Sequence, residues 1–235
     1  MLTTTMTNAQ IRAQYKEDFR QILAKIPYLI KDWRRIGLKR RTFPWFFAIT
    51  GTTKNNNDYL LRVALYKRSD MKSQEGFCSR LYLKLKTDNG YAYIDDTDML
   101  LGNKAITTDG KVIPASMHIY TPHLINQYIS RFGKMNGYKS NAEQFFLRLD
   151  YLAGSASKLD GIHGGDYDTL GISPDGVLLG TCDSFDTTVF RTFLTYDMLN
   201  NKQKNYVNEI AKCHNLLVDV YDSIKPENRI VYAKT

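Results

Sequence analysis

Residues 80–90 have the sequence RLYLKLKTDNG, and this stretch decides the fold class. Leu81, Leu83 and Leu85 alternate with other residues, and this period of two predicts a β-strand with one buried face. The Asp-Asn-Gly sequence of residues 88–90 then favours a tight turn. The stretch therefore predicts a strand of an antiparallel sheet.

Other strands are predicted on both sides of this stretch. Trp45–Thr50 and Tyr59–Tyr66 are short and rich in β-branched and aromatic residues, and the polar run 54–58 separates them. No helical pattern lies between these strands, so antiparallel order is favoured over β-α-β units. A hairpin over residues 169–181 and a strand over Thr188–Thr195 are predicted later in the chain.

Helices are predicted at both ends and in the middle of the chain. An apolar stripe at spacings of three and four predicts a helix over residues 8–36, capped by Thr7 or Asn8 and broken or kinked at Pro27. Further helices are predicted over Pro122–Phe132, Asn141–Ala153 and Asp197–Tyr221. The fold class is therefore α+β, with antiparallel sheet or sheets, an N-terminal basic helix, central helices and a C-terminal helix.

The composition is that of an ordinary globular protein. Hydrophobic residues make up 43% and charged residues 24% of the 235 residues. The predicted organisation is a basic helical segment, 1–44, followed by an α+β globular domain, 45–235, unless the whole chain forms one domain. Three widely spaced cysteines offer neither a C-x-x-C pair nor a disulfide framework. Because no signal-peptide pattern and no apolar run of about 20 residues is present, we expect a cytoplasmic protein without membrane contact.

The net charge of +8 is unevenly distributed along the chain. Residues 1–45 contain ten Lys and Arg against three Asp and Glu, whereas residues 159–200 contain only Arg191 against seven Asp. A basic end indicates a polyanion partner. The acidic stretch is either a separate site or the opposite face of the same domain.

Cations and aromatic rings are interleaved after the first helix. The candidate nucleic-acid-binding residues of this cluster are Lys31, Trp33, Arg34, Arg35, Lys39, Arg40 and Arg41. Cations beside planar rings suit phosphate contact and base stacking. The same pattern also fits cations at a helix C-terminus followed by an aromatic hinge into the core, and both interpretations stay open.

The stretch Thr121-Pro122-His123 is the most informative candidate site, because common catalytic motifs are absent. Thr121 can cap a helix that Pro122 begins, which places His123 in the first turn as a candidate general base. Arg131 lies on the same helical face two turns later. The alternative is that the first residues only cap the helix and that Arg131 is solvated.

The helix over residues 121–132, with His123 at its start and Arg131 near its end, resembles the helix of bacterial ribonuclease toxins with the barnase–colicin–RelE type fold. In those families a His begins a helix that carries basic residues, and a small antiparallel sheet follows. The resemblance covers residues 117–200. This chain departs from the pattern at Gln127, where a second basic residue is common, and in the long insertion after the helix.

The resemblance implies metal-independent cleavage of RNA by general acid–base catalysis. His123 would act as base or acid, and Arg131 and Arg191 would stabilise the charge of the transition state. Thr192 or Thr195 would orient the phosphate. Arg191 is equally explained by a structural role, in which it neutralises neighbouring aspartates. No cofactor is expected, and an inhibitor or antitoxin protein is a candidate partner.

Acidic clusters offer a rival, metal-dependent site. Asp160, His163, Asp166 and Asp168 supply oxygen and nitrogen ligands on a glycine-rich loop. A second acidic cluster contains Asp95, Asp96 and Asp98. Such groups can hold Mg²⁺ or Mn²⁺, although aspartates in glycine-rich turns also cap the backbone.

Three functions follow, and each predicts a nucleic-acid partner. The first is a metal-independent endoribonuclease of a toxin-like or mobile-element-associated kind, with RNA favoured over DNA as the substrate. The second is a non-enzymatic nucleic-acid-binding protein of a phage or plasmid. The third is a metal-dependent nuclease that uses the acidic loop at residues 160–168.

Overall fold

The two halves of the chain each fold into a compact unit in the computed structural model. The structure describes residues 2–29, 31–39, 41–43, 45–65, 67–69, 78–96, 117–133, 141–148, 153–155, 167, 169–173, 175–184, 187–213 and 229–233. The first unit is Met1–Met117 with Ile224–Thr235, and the second is His118–Ser223. The first unit thus joins the basic segment 1–44 to the strands that follow it, whereas a domain division at residue 44 stays a prediction.

The predicted α+β class is confirmed. In the first unit, helix α1 (Asn8–Leu29) is followed by the short helix α2 (Lys31–Gly37). Thr7 is the helix cap, because its hydroxyl accepts from the Gln10 N–H at 3.3 Å while the Gln10 side chain accepts from the Thr7 N–H at 2.9 Å. Pro27 lies inside α1, and the helix ends at Leu29, two residues after the predicted break.

The strands of the first unit form one sheet. They are β1 (Trp45–Thr52), β2 (Asp58–Leu65), β3 (Cys78–Thr87), β4 (Gly90–Asp96) and β10 (Arg229–Ala233), in the spatial order β10-β1-β2-β3-β4. Strands β1 to β4 are antiparallel to their neighbours, as predicted, and β10 pairs with β1 in parallel. The sequence patterns did not predict β4 or β10.

Helix α1 covers one face of this sheet. Its apolar stripe is buried as predicted, and the Tyr15 hydroxyl donates to the Leu81 carbonyl at 2.7 Å. Alternation in β3 holds for Leu81, Leu83 and Leu85, which are all buried. The prediction of a half-buried strand is wrong at Tyr82, which is also fully buried on the opposite face.

A buried carboxylate fastens α1 to the β1–β2 turn. Asp18 accepts from the side-chain amides of Asn55 at 2.8 Å and Asn57 at 2.6 Å. The side-chain oxygen Oδ1 of Asn57 accepts in turn from the Leu2 N–H at 2.6 Å, and the backbone N–H of Asn57 donates to the Thr53 hydroxyl. Hydrogen bonds to a charged group are stronger than neutral ones, so Asp18 holds both the turn and the N-terminal residues in place.

Replacement of Asp18 by alanine lowers the free energy of unfolding by about 1.5–3 kcal/mol, because it leaves the two asparagine amides without their charged acceptor. Urea denaturation measures this loss. The neighbouring Glu17 is the matched control, since its side chain is exposed and its removal changes stability by less than about 0.5 kcal/mol. Equal effects of Asp18→Ala and Glu17→Ala would contradict the structural role of the buried carboxylate.

The second unit contains helices on both faces of its β-strands. Its strands are β5 (Met117–Tyr120), β6 (Ala153–Ser155), β7 (Thr169–Ser173), β8 (Gly176–Ser184) and β9 (Thr187–Leu194), in the order β5-β9-β8-β7-β6. Its helices are α3 (Pro122–Tyr128), which continues as a π-helical turn over Ile129–Gly133, α4 (Ala142–Arg148) and α5 (Asn201–Cys213). The predicted hairpin over 169–181 is confirmed, and the closing helix begins at Asn201 and is described to Cys213.

Side chains of β9 point alternately to the two faces of this sheet. Phe193 contacts Tyr128 of α3, with ring centroids 5.1 Å apart. Leu194 packs on the opposite face, in an apolar cluster that includes Leu179 and Val207 of α5. Phe193 and Leu194 therefore lie on opposite faces of these strands, one facing α3 and the other facing α5.

Candidate nucleic-acid interface

Thr121 connects the start of α3 to strand β9, as the predicted cap requires. Its hydroxyl accepts from the Leu124 N–H at 3.3 Å and donates to the Arg191 carbonyl at 3.2 Å. Its own N–H donates to the Phe190 carbonyl at 3.1 Å. His123, two residues further on, is exposed to solvent in the first helical turn. The predicted cap is therefore confirmed, and His123 is accessible.

Arg191 is positioned by a β-bulge. Thr192 pairs with Leu179 and Phe190 pairs with Gly180, so Arg191 is an extra residue in β9. A Cβ atom at Gly180 would lie 2.4 Å from the Val189 carbonyl oxygen, so the close approach of the strands at the bulge requires glycine. The Arg191 side chain is exposed.

Arg131 makes a structural contact. Its side chain is half-buried, and its Nη1 donates a hydrogen bond to the Phe193 carbonyl of β9. This bond fastens the π-helical end of α3 to the sheet. The guanidinium of Arg131 therefore has a hydrogen-bond partner within the protein. The alternative interpretation, in which Arg131 is only solvated, does not agree with this contact.

The two threonines predicted to orient a phosphate lie in strand β9 and directly after it. Thr192 pairs with Leu179, whose side chain packs on the α5 face, so Thr192 lies on the side of the sheet that α3 does not cover. Thr195 is buried, and its carbonyl accepts from the Met198 N–H at 3.1 Å. Thr192 is therefore not on the side of the sheet that α3 covers, and the phosphate-orienting role of the two threonines stays a prediction.

The positive charge of the chain belongs to the first unit. Its residues include 23 Lys and Arg against 12 Asp and Glu, a net charge of +11. The second unit has 9 Lys and Arg against 12 Asp and Glu, a net charge of −3. The predicted catalytic residues thus lie in the acidic unit, whereas the predicted binding cluster lies in the basic one.

Four cations of the predicted cluster are exposed. They are Lys31, Arg35, Lys39 and Arg41. Arg34 is a residue of α2 whose side chain is outside the described part, and Arg40 is outside the described residues. The Leu38 carbonyl accepts from Arg68 at 2.8 Å, which fixes the chain after α2.

Trp33 does not belong to this exposed set, and its burial agrees with the alternative interpretation of an aromatic hinge into the core. Only 7% of its surface is exposed. Its ring packs on Trp45 and Phe47 of β1, with centroids 5.9 and 4.9 Å away. Trp33 is the apolar anchor of α2 on the sheet, so no base can stack on it.

Tyr28 supplies an exposed ring that sequence reasoning missed. It lies in the last turn of α1, beside the start of α2, and 77% of its surface is exposed. Its position two residues after the buried Ile26 turns it away from the apolar stripe, and that spacing was the available signal. Tyr28 with Lys31, Arg35, Lys39 and Arg41 is called the basic surface below.

Asp95 and Asp96 of the second acidic cluster each form an ion pair with an arginine. The two neighbours point to opposite faces of β4, where Asp96 pairs with Arg12 at 2.8 Å and Asp95 with Arg80 at 3.3 Å. Burial raises the pKa of the nearby Tyr15 well above its ordinary value, and the negative charge of Asp95 adds to this. Neutral Tyr15 is therefore part of a buried structural network.

Asp98, the third residue of that cluster, lies outside the described residues. The same holds for the predicted ligands of the glycine-rich loop, which are Asp160, His163, Asp166 and Asp168. Among the described residues, no group of three His, Cys, Asp or Glu side chains could hold a metal ion. No helix in the described part of the chain is long and apolar enough to cross a membrane.

Comparison with protein-family models, with curated proteins and with solved structures finds no match to this chain. The resemblance of residues 117–200 to ribonuclease toxins therefore stays a prediction.

Proposed function

We propose that this chain is a nucleic-acid-binding protein that contacts the phosphate backbone with its basic surface. The observation that carries the proposal is the net charge of +11 in the first unit, together with four exposed cations that follow the exposed Tyr28 in the sequence. Cations that neutralise phosphates release condensed counterions, which supplies most of the free energy of non-specific binding. RNA in the cytoplasm is the favoured partner, and no cofactor is required.

Tyr28 favours a nucleic acid over other polyanions. A base has a flat face that can stack on an exposed ring, whereas an acidic peptide or a sulfated polysaccharide has none of comparable size. The ring lies three residues from both Lys25 and Lys31, and both of these lysines are exposed. Stacking and phosphate contact can therefore occur on neighbouring nucleotides.

Fluorescence anisotropy of a labelled oligouridylate of about 12 nucleotides tests this function. We expect binding that weakens linearly with the logarithm of the salt concentration, because each phosphate contact contributes about −0.7 to the slope on a single strand. Heparin, which carries charge but no bases, should compete less well than the oligonucleotide at equal charge. Absence of binding at low salt would overturn the proposal.

A metal-independent ribonuclease is the second candidate, and one observation favours it. The bond from the Thr121 hydroxyl to the Arg191 carbonyl connects the first turn of α3, where His123 is exposed, to the strand that carries the exposed Arg191. A general base and a cation accessible to solvent are two of the groups that cleavage at a 2′-hydroxyl needs. A toxin-like enzyme of this kind would have an inhibitor or antitoxin as its protein partner.

Incubation of labelled RNA with the wild-type chain, in the presence and absence of EDTA, tests the second candidate. Cleavage that survives EDTA and is lost in both His123→Ala and Arg191→Ala is the expected result for this enzyme. Asn126→Ala, an exposed change on the same helix, is the matched control and should cleave normally. Intact RNA with the wild-type chain leaves binding as the function, and cleavage lost with EDTA contradicts a metal-independent mechanism.

A further inference from the structure

The β3–β4 hairpin presents cations and aromatic rings on one face. Lys84 lies opposite Tyr93, and Lys86 lies opposite Tyr91, in the register of the two strands. Side chains alternate along a strand, so these four residues share the face opposite to Leu83, Leu85, Ala92 and Ile94, which are buried. Helix α1 packs on that apolar face, so the hairpin face with the lysines is a second surface of the same unit.

The exposed part of this face lies at the end of the hairpin. Tyr91 is 48% exposed, and Lys86 beside it is also exposed. Lys84 is half-buried, with its ammonium 5.9 Å from the ring centroids of both Tyr91 and Tyr93. The lysines therefore frame one accessible tyrosine ring, and one face of that ring has a cation close to it.

Exposed rings are rare in the described part of the chain. Among its large hydrophobic and aromatic side chains, Tyr28 and Tyr91 are the two aromatic ones that count as exposed. Both belong to the unit with the net charge of +11, and both have lysines next to them. The hairpin contains three acidic residues. Asp95 and Asp96 are buried in ion pairs, so Asp88 at the turn is the exposed acidic residue of the hairpin.

We infer that Tyr91, with Lys84 and Lys86, forms a stacking site for an unpaired base of a single-stranded nucleic acid. This inference rests on the proposed nucleic-acid-binding function and narrows its ligand class from any nucleic acid to a single strand. A base stacks on the exposed ring, and Lys86 contacts the phosphate that follows it. Bases in a duplex are already stacked on each other, so a duplex offers this ring nothing to bind.

Binding of three labelled ligands to the full chain tests the site: an oligouridylate, an abasic strand of the same length and charge, and a duplex. We expect Tyr91→Ala to weaken binding of the oligouridylate about 5- to 100-fold and to leave the other two ligands unchanged. Tyr91→Phe retains the ring and should bind as the wild type does. Lys86→Gln should weaken the oligouridylate and the abasic strand alike and lower the salt slope by about 0.7.

Each alternative outcome decides against the site in a different way. Equal loss of the oligouridylate and the abasic strand in Tyr91→Ala would mean that no base stacks on the ring. Unchanged binding in Tyr91→Ala, with weakened binding when the basic surface is neutralised, overturns this site and leaves the proposed function standing. A wild-type chain that binds none of the three ligands overturns both. Far-UV circular dichroism shows that each variant is folded before it is titrated.

Discussion

Replacement of Lys31, Arg35, Lys39 and Arg41 by glutamine lowers the affinity for a single-stranded oligonucleotide about 100-fold at about 0.15 M salt. The four cations are exposed, so glutamine removes their charge without disturbing the core. Each lost phosphate contact also removes about 0.7 from the slope of log K against log salt, so the slope falls by about 3. Anisotropy titrations at several salt concentrations measure both quantities.

Lys202→Gln with Lys204→Gln provides the control for this change. Both lysines lie in α5 of the second unit, and Lys202 is exposed. Their loss lowers the net charge of the chain without altering the basic surface, so the salt slope should stay at the wild-type value. If the control pair weakened binding as much per charge as the four-residue variant, the net charge and not the basic surface would determine affinity.

Replacement of Trp33 by alanine costs about 3–5 kcal/mol of the free energy of unfolding, the usual range for a large aromatic residue removed from a core. The buried ring packs on Trp45 and Phe47, so its loss leaves a cavity between α2 and β1. Trp33→Phe should lose less, because phenylalanine fills part of the same space. Urea denaturation followed by circular dichroism measures these values.

Tyr28→Ala is the counterpart of Trp33→Ala on the same helical segment. Its side chain is 77% exposed, so its removal should change stability by less than about 0.5 kcal/mol. It should weaken binding to single-stranded RNA, whereas Trp33→Phe should bind normally. The assignment of the two rings would be reversed if Trp33→Phe lost affinity and Tyr28→Ala lost stability.

Most of the fold could be predicted because its elements have strong local patterns. The stripe from Ile11 to Ile26 and the alternation of Leu81, Leu83 and Leu85 each report one buried face, and the structure buries them. Strand β4 was missed because its last residues, Asp95 and Asp96, look like a polar loop. Arg80 and Arg12 pair with them in the fold, and such distant partners leave no local signal.

Which ring of the basic segment faces solvent was only partly predictable. Trp33 and Tyr28 are both aromatic residues near lysines and arginines, so composition alone assigns them the same role. Helical spacing from the buried Ile26 predicts that Tyr28 faces solvent. Burial of Trp33 instead depends on its contacts with Trp45 and Phe47 of strand β1, and these contacts leave no helical pattern. The hairpin site at Tyr91 required the register of β3 and β4, which only the structure supplies.

The positions of the predicted catalytic residues in β9 were also only partly predictable. A strand pattern places Arg191, Thr192 and Thr195 close together in sequence, but a bulge opposite Gly180 changes the alternation at Arg191. Thr192 faces α5 because it alternates with Phe193, which contacts α3, and Thr195 is buried after the strand ends. A one-residue bulge is set by the partner strand, so sequence periodicity could not reveal it.

Photo-crosslinking to a 4-thiouridine oligonucleotide, followed by mass spectrometry of the crosslinked peptides, tests most directly where this chain binds nucleic acid. We predict crosslinks in the first unit, in peptides that contain Tyr28 and Tyr91, since these rings are exposed among cations. They should decrease when the four cations of the basic surface are replaced by glutamine. Crosslinks confined to residues 118–223, around His123 and Arg191, would contradict this and place the nucleic acid on the acidic unit.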